Sequence, residues 1–323
     1  MLAPNTNNYF YGSGRLYFKS NSDSGFLALG NVPKLEIEIT IEKQTHYSNQ
    51  EGTRLKDKER IAEKGATASF DMEEYSAENL NLAFLGNGIQ SGSQLSGQLD
   101  AESITVVDDR FVSLGKMDLS ILRIDHGVVT DGPFEPGETI TGTTSSATAT
   151  IAWADDTNRY LECINVSGTF QEGETITGGT STATASVTSI STKKDVVVTD
   201  AATPTTRYIL GTDYSLDLAG GLLRKLKTGS ISTTCFVSAN YGAKTTKSIR
   251  ALANSETTGE LLFIPTSDDG PRWKIEGWKV SLSINGAVGF ITEDVGSIPM
   301  TAEFLADTDN HPDEPFYRAT EII

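Results

Sequence analysis

The feature that most constrains the fold is a tandem duplication. Residues 134–151 read FEPGETITGTTSSATATI and residues 170–187 read FQEGETITGGTSTATASV, so 12 of 18 positions are identical at an offset of 36. Arg123 and Arg159 obey the same offset. Self-similarity at a fixed period indicates a repeated structural unit, so two units of about 36 residues occupy 124–193.

The composition of the duplicated segment predicts strands. Between Ile124 and Ile190, nine acidic residues stand against one base, so 9 minus 1 leaves −8 of the chain's −17 net charge. Stretches such as Ala147–Ile151 alternate small apolar with β-branched residues, which is typical of half-buried strands. Asp155–Asn158 predicts a turn into a strand from Arg159 to Val166. We therefore expect 124–193 to be an all-β insert in a discontinuous core domain of residues 1–123 and 194–323.

The flanking segments are also rich in strand patterns. Lys34–Glu42 alternates Leu or Ile with polar residues, which predicts a strand with one buried face. Tyr214, Leu216 and Leu218 alternate before Gly220-Gly221, which predicts a hairpin.

Near the C-terminus the apolar positions change parity at Gly277, which predicts a β-bulge. Asn285-Gly286 then predicts a type I′ turn, with Val288 and Phe290 on the returning strand.

One helix is expected in this mainly β chain. Ser76 can cap it, apolar side chains recur at Leu80, Ala83 and Phe84, and Gly86 is placed to end it. Asn49–Lys64 is highly charged, which favours a solvated loop; the alternative is an arm that reaches a neighbouring subunit.

Few residues suggest catalysis. His46, His126 and His311 are far apart and match no zinc-binding spacing. Cys163 and Cys235 are expected to be buried free thiols. Tight wrapping of nucleic acid is disfavoured because the net charge is −17, and no apolar run predicts membrane insertion. We expect no enzyme, metal or cofactor, and a chain made in the cytoplasm.

The order of several short segments outside the insert carries a resemblance to a known family. They are Gly12–Phe18, Leu29–Val32, Leu35–Ile41, Ala66–Phe70, Asn79–Gly86, Tyr208–Tyr214, Gly259–Phe263, Trp278–Ile284 and Phe304–Asp307. In this order they resemble the major tail tube protein of long-tailed bacteriophages, over roughly 9–123 and 194–307.

The resemblance implies a β-sandwich or barrel with one flanking helix and a structural role in the virion. Six copies would form a ring, and rings would stack into a hollow tube that houses the tape-measure protein and conducts DNA during ejection. The tail terminator and the baseplate or distal tail proteins would be further partners. Assembly would take place in the cytoplasm of the bacterial host.

Two groups of residues follow as interaction hypotheses. The family's long loop contacts the next ring, and this role falls here on Glu51, Arg54, Lys56, Asp57, Lys58, Glu59 and Arg60. The insert would project outward and could contact host-surface glycans through Trp153, Asp155, Asp156 and Tyr160. The alternative for these four is hairpin packing for the aromatic residues and a solvated turn for the acids.

Three other functions stay open at this point. A receptor-binding or decoration protein of the capsid or tail would act through the repeats. A tube of a bacterial injection machine would share the tube geometry. An enzyme is the least supported.

Overall fold

The computed structural model describes residues 5, 8–10, 12–50, 52–267 and 270–322. Over this part of the chain the protein is mainly β with a single helix, which confirms the expected fold class. The helix α1 is Ala77–Ala83. The strands are β1 Gly14–Ser20, β2 Leu27–Ala28, β3 Leu35–Ser48, β4 Leu55–Met72, β5 Ile89–Gln94, β6 Gly97–Thr105, β7 Phe111–Ser113, β8 Leu119–His126, β9 Thr139–Gly142, β10 Thr148–Asp155, β11 Tyr160–Ser167, β12 Thr175–Gly178, β13 Thr184–Lys193, β14 Val197–Thr199, β15 Tyr214–Asp217, β16 Leu222–Lys225, β17 Thr234–Tyr241, β18 Lys244–Ile249, β19 Thr257–Pro265, β20 Arg272–Ile284, β21 Ile298–Phe304 and β22 Tyr317–Ile322.

The chain forms two compact units. Unit 1 comprises the described residues of 1–91 and 247–323, and unit 2 comprises 92–246. The chain passes between them through β5 and β18, which pair with each other in a two-stranded sheet.

Unit 1 is built on an eight-stranded antiparallel sheet. Seven of its strands follow the order β2-β1-β19-β20-β21-β4-β3, and the eighth, β22, pairs with β20. β21 pairs with Val280–Ile284 of β20, and β22 pairs with Arg272–Gly277 of the same strand. Its core contains Leu16 and Phe18 from β1, together with apolar residues of β4, β19, β20 and β21. Leu82 of α1 packs against the same cluster.

The predicted bulge at Gly277 is confirmed. Gly259 is opposite Val280 and Leu261 is opposite Gly277, so β20 carries one extra residue between these pairs. A Cβ atom at Gly277 would lie 2.6 Å from the Phe304 ring, which explains the glycine.

The predicted helix is also confirmed, with a different end. The Ser76 hydroxyl accepts a hydrogen bond from the Asn79 N–H at 3.0 Å, as expected of an N-cap. The helix ends at Ala83 with Phe84 as its C-cap, and Leu85 has the positive φ, 50°, that was expected of Gly86.

The hairpin predicted at Asn285-Gly286 is wrong. β20 ends at Ile284, and the chain returns only at Ile298. Tertiary contacts outweigh the local turn signal: Val288 packs against the unit 1 core, and Phe290 lies 6.0 Å from the Tyr75 ring in an edge-on contact. These contacts hold 285–297 as a long loop.

The loop predicted over 49–64 is wrong for residues 55–64, which are strand. β3 and β4 form one long hairpin with register partners from Leu35↔Phe70 to Ser48↔Leu55. The charges that suggested a loop lie on the exposed end of this hairpin. Glu51 lies outside the described residues.

In unit 2, the duplicated segment folds into a closed antiparallel barrel. Six strands pair around it in the order β8-β11-β10-β9-β12-β13, and β13 returns to β8. The partners Ile140↔Gly178, Thr141↔Thr177 and Gly142↔Ile176 relate the two repeats by an internal twofold axis. Closure leaves no strand of the barrel with an open edge.

The barrel has a core of its own. Its buried residues come from the repeats in equivalent pairs, including Phe134 with Phe170 and Ile140 with Ile176. The buried thiol of Cys163 lies in this core, and burial strongly raises its pKa.

The remainder of unit 2 packs around a second core formed by β6, β14, β17 and a three-stranded sheet of β15, β16 and β7. The hairpin predicted before Gly220-Gly221 is confirmed by the pairing of β15 with β16. Cys235 is a buried free thiol here, and burial raises its pKa to about 11.

The boundaries of unit 2 differ from those predicted for the insert. β8 pairs with β17 at Leu119 and Ser120, and with β11 and β13 from Ile121 onward. A boundary at 123/124 therefore falls inside a strand, whereas unit 2 begins at Gly92.

Candidate assembly surfaces

The end of the β3–β4 hairpin is exposed on both faces. We call residues 39–48 and 55–64 the arm. All residues from 55 to 64 are exposed, whereas β4 alternates between buried and half-buried from Gly65 to Met72. The hairpin thus continues well beyond the core that supports its base.

One face of the arm carries a short apolar stripe, which shares that face with Lys43, Lys64 and Glu59. Leu35 and Ile37 pack against the unit 1 core, and alternation places Ile39 and Ile41 on the same face of β3. Ile61 joins this face as the register partner of Lys43. Ile39, Ile41 and Ile61 are 61%, 50% and 50% exposed, so the stripe has no cover within the described chain.

Polar side-chain contacts within and across the two strands support the arm. Lys43 Nζ lies 2.7 Å from Glu59 Oε1, and Lys56 binds the other oxygen of Glu59. Hydrogen bonds from Lys43 and Lys56 lower the pKa of Glu59 to about 2. His46 Nδ1 lies 2.6 Å from Asp57 Oδ1. Cross-strand pairs of this kind favour a hairpin even where neither face is buried.

The remaining charged residues of the predicted contact loop lie on or beside the arm. Arg60 Nε donates to Gln44 Oε1 at 2.8 Å, and the Arg54 guanidinium lies 5.3 Å from the centre of the Tyr47 ring. Lys58 is opposite His46 in the register. The structure therefore brings Arg54 to Arg60 together on one exposed strand and the turn before it.

β3 is an edge strand. Over the described residues its only strand partner is β4, so one side of its 14 residues is left unpaired. It contains no proline, which would have blocked pairing with another chain.

In the barrel, a glutamate from each repeat accepts hydrogen bonds from a turn of the other repeat. The Glu138 carboxylate accepts hydrogen bonds from the N–H groups of Thr180 and Ser181 at 3.0 Å. Glu174 does the same for Thr144 at 3.1 Å and Ser145 at 3.0 Å. Each carboxylate also accepts from the serine hydroxyl.

The two glutamates are 6% and 5% exposed, and both are charged in the fold. Burial alone would raise the pKa of Glu138, but hydrogen bonds from Glu135, Ser181 and Thr180 outweigh it and lower the pKa below its ordinary value of 4.5. Hydrogen bonds from Ser145, Gln171 and Thr144 likewise lower the pKa of Glu174.

This exchange explains the repeated GETITG sequence. The first glycine of each copy has positive φ, 90° at Gly137 and 83° at Gly173. A Cβ atom at the last glycine would lie 2.6 Å from the incoming carboxylate, at Gly142 and at Gly178 alike. The sequence therefore encodes a structural contact between the repeats.

The four residues predicted for the insert surface are half-buried and have internal contacts. The Arg123 guanidinium lies 3.8 Å from the centre of the Tyr160 ring. Asp155 accepts hydrogen bonds from the backbone and side chain of Asn158, which confirms the predicted turn. Trp153 is opposite Glu162 in the β10–β11 register.

Asp156 lies beside a buried histidine. Its Oδ2 accepts from the Phe134 N–H at 3.2 Å, and its Oδ1 is 4.0 Å from His126 Nε2. Neither Oδ1 nor Nε2 has a hydrogen-bond partner among the described residues. His126 Nδ1 lies 2.9 Å from the Gly127 carbonyl oxygen.

A buried ion pair ties the barrel to the rest of unit 2. Arg207 binds Glu162 through two contacts, Nε to Oε2 at 2.6 Å and Nη2 to Oε1 at 2.9 Å. The Glu162 side chain is 3% exposed, and its burial raises its pKa. Such a bidentate pair is directional as well as attractive.

The other two histidines lie apart from the His126–Asp156 pair. His46 is on the arm, and His311 stacks on Trp278 with ring centres 3.9 Å apart. Within the described ranges no three His, Cys, Asp or Glu side chains form a group that could hold a metal ion. No helix in the same ranges has the length and apolarity required to span a membrane.

A family model matches the chain over residues 9–186 and 143–316. The family is described as "Protein of unknown function UCP028589". The chain belongs to this family. The two matches overlap over 143–186, within the duplicated segment. No curated protein matches the chain.

Sequence reasoning missed the apolar stripe of the arm and the exchanged glutamates. Ile39 and Ile41 belong to the predicted strand, but their exposure depends on how far β4 extends beyond the core. The exchange of Glu138 and Glu174 had a signal, because a glutamate and a Thr-Ser pair recur together in both copies.

Proposed function

We propose that this protein is a structural subunit that assembles with copies of itself into rings, and that these rings stack into the hollow tube of a phage tail. In this role the tube houses the tape-measure protein and conducts DNA during ejection. The subunit carries out no chemistry, and its function lies in its contacts.

The observation that carries the proposal is the arm. A two-stranded ribbon exposed on both faces has little stability of its own in water. Its apolar stripe, with Ile39 and Ile41 at least half exposed, gains stability only when another surface covers it. The unpaired side of β3 offers backbone groups to the same neighbour.

Charge supports the second part of the proposal. The net charge of −17 disfavours adhesion of DNA, as a conduit requires. The order of elements in the flanks, from the strand at Leu35 to the helix after Ser76 and the strand at Trp278, accords with the resemblance to tail tube proteins.

The arm supplies the direct test. In one variant Ile39 and Ile41 are replaced by threonine, which keeps strand propensity and removes apolar surface. In a second, Lys56, Lys58 and Arg60 are replaced by glutamine. We expect the apolar variant to remain folded and lose assembly, and the charge variant to lose ring stacking more than ring formation.

Sedimentation velocity and electron microscopy separate subunits, single rings and stacks. A matched control replaces three exposed bases of unit 2 by glutamine, Arg110, Lys193 and Lys227, and should assemble normally. Unchanged assembly in the Ile39→Thr, Ile41→Thr variant would refute the role of the arm. Equal loss of rings and stacks in the charge variant would refute its role between rings.

A further inference from the structure

Unit 2 contains a cleft that none of the contacts above uses. It has a volume of about 390 Å³ and lies where β6, β8, β11, β13 and β17 come together. Hydroxyl and amide side chains line it, namely Ser96, Gln98, Ser120, Asn165, Thr192 and Asn240. Tyr241 adds an aromatic ring.

The lining of the cleft is neutral. Among the described residues, no Asp, Glu, Lys or Arg side chain lines it, although charged residues make up 21% of the chain. The lining side chains themselves therefore offer no ion-pair partner, and the Lys116 ammonium lies beside the cleft against the Tyr241 ring. The lining instead favours an uncharged ligand with many hydrogen-bonding groups.

Asn240 fixes the shape of one wall. Its Oδ1 accepts from the Asn165 N–H at 2.8 Å, and its Nδ2 donates to the Cys163 carbonyl oxygen at 3.2 Å. These bonds hold β11 at an irregular point where Asn165 has a φ of 52°. The wall is thus set before any ligand arrives.

Several polar groups of the cleft remain available to a ligand. The side chains of Gln98, Asn165 and Thr192 are exposed and have no hydrogen-bond partner within the described chain. Amides and hydroxyls both donate and accept, which matches the hydroxyl groups of a sugar.

The tyrosine ring is held in place. A Cβ atom at Gly97 would lie 2.7 Å from Tyr241 Oη and 2.9 Å from Cζ, so the glycine makes room for the phenol. Lys116 Nζ lies 4.7 Å from the ring centre. The face of this half-buried ring that Lys116 does not cover offers apolar surface to the C–H face of a sugar ring.

We propose that this cleft binds a neutral carbohydrate. The amide and hydroxyl side chains bind the sugar hydroxyls, and Tyr241 packs against a sugar ring. The cleft volume falls within the roughly 300–1,000 Å³ typical of small-molecule sites. Every lining residue belongs to unit 2, whereas the arm belongs to unit 1, so variants of the cleft and variants of the arm can be tested separately.

Saturation-transfer NMR on the full chain tests the proposal. The probes are the neutral hexasaccharides of glucose, mannose and N-acetylglucosamine, with a heparin hexasaccharide as the anionic comparison. We expect saturable binding of at least one neutral probe. Gln98→Ala and Thr192→Val should each weaken it about tenfold, the effect of losing about 1.4 kcal/mol.

The matched control is Gln171→Ala, which removes an exposed amide of unit 2 outside the cleft and should leave binding unchanged. Thermal unfolding checks that each variant is folded. Binding to none of the neutral probes would overturn the proposal. Preference for the heparin probe, or binding that Gln98→Ala and Thr192→Val leave intact, would also overturn it.

Discussion

Replacing Glu138 by alanine should destabilise the barrel severely. The change removes the acceptor for three backbone N–H groups, those of Glu135, Thr180 and Ser181, and for the Ser181 hydroxyl. A buried donor left without an acceptor costs about 1–3 kcal/mol. With four donors affected and water reaching some of them, we expect a loss of about 4 kcal/mol in the free energy of unfolding. That is a large part of the roughly 5–15 kcal/mol of a typical domain.

The assay uses the position of the tryptophans. Trp153 lies on β10 of the barrel, whereas Trp273 and Trp278 lie on β20 in unit 1. With Trp273 and Trp278 replaced by phenylalanine, fluorescence during urea unfolding reports on the barrel alone. Glu174→Ala should cost about as much as Glu138→Ala, because the twofold axis makes the two sites equivalent.

Glu172→Ala is the matched control, since it removes an exposed carboxylate from the second repeat, two residues before Glu174. It should change stability by less than about 0.5 kcal/mol. If Glu138→Ala costs no more than Glu172→Ala, the exchanged contacts do not stabilise the barrel and the reasoning is refuted.

The same glutamates predict a pH dependence. The folded-state pKa values of Glu138 and Glu174 lie below the ordinary 4.5, so the folded barrel binds fewer protons than the unfolded chain in this range. Their contribution is complete above pH 4.5 and is lost as the pH falls through the folded values. Urea unfolding between pH 7 and pH 3 should show this loss, and the Glu138→Ala variant should show only the part of it that comes from Glu174.

Three further predictions concern unit 2. Glu162→Ala should lower the free energy of unfolding by about 3–5 kcal/mol, because it leaves Arg207 buried without its partner. Adding Arg207→Ala should recover part of this loss in urea unfolding, and additive losses would contradict the pairing. Cys163 and Cys235 should react with a thiol reagent at pH 8 only after unfolding, and rapid labelling of the native protein would contradict their burial. Residues 124–193 can be replaced by a short linker in a variant that also carries Arg207→Gln. We expect electron microscopy to show normal assembly of this variant. If the variant fails to fold, the flanking segments need the barrel for their own folding.

The close ends of the excised segment support that last prediction. Arg123 is the register partner of Ser191, and Leu122 is the partner of Thr192, so the chain enters and leaves the segment on neighbouring strands. A Lys194 Nζ contact of 2.6 Å to Asp118 holds the two strands together at this point.

Local patterns predicted most of the fold. The duplication predicted an all-β segment, Ser76 predicted the start of the helix, and the parity change predicted the bulge at Gly277. Each of these depends on neighbouring residues or on a fixed period, which a sequence displays directly.

The failures have other causes. Asn285-Gly286 has the chemistry of a tight turn, but the contact of Phe290 with Tyr75 holds the segment as a loop. Residues 55–64 lack strand alternation, because ion pairs to β3 rather than burial hold them in the hairpin. The partner of Phe290 lies far away in the sequence, whereas the partner of Glu59 lies on the neighbouring strand of the same hairpin, where charge rather than apolar alternation marks the pairing.

The candidate surfaces were predicted in part. The exposure of the charged segment was expected from its composition, but its strand structure and its apolar stripe were not. The neutral cleft brings together residues from 96 to 241, which lie side by side because β6 and β8 pair with β17 while β11 and β13 pair with β8.

Electron microscopy of the purified full chain over a concentration series tests the central claim most directly. The account predicts six-fold rings that stack, with rising concentration, into hollow tubes of uniform bore. A protein that remains a monomer, dimer or trimer across the whole series would contradict it.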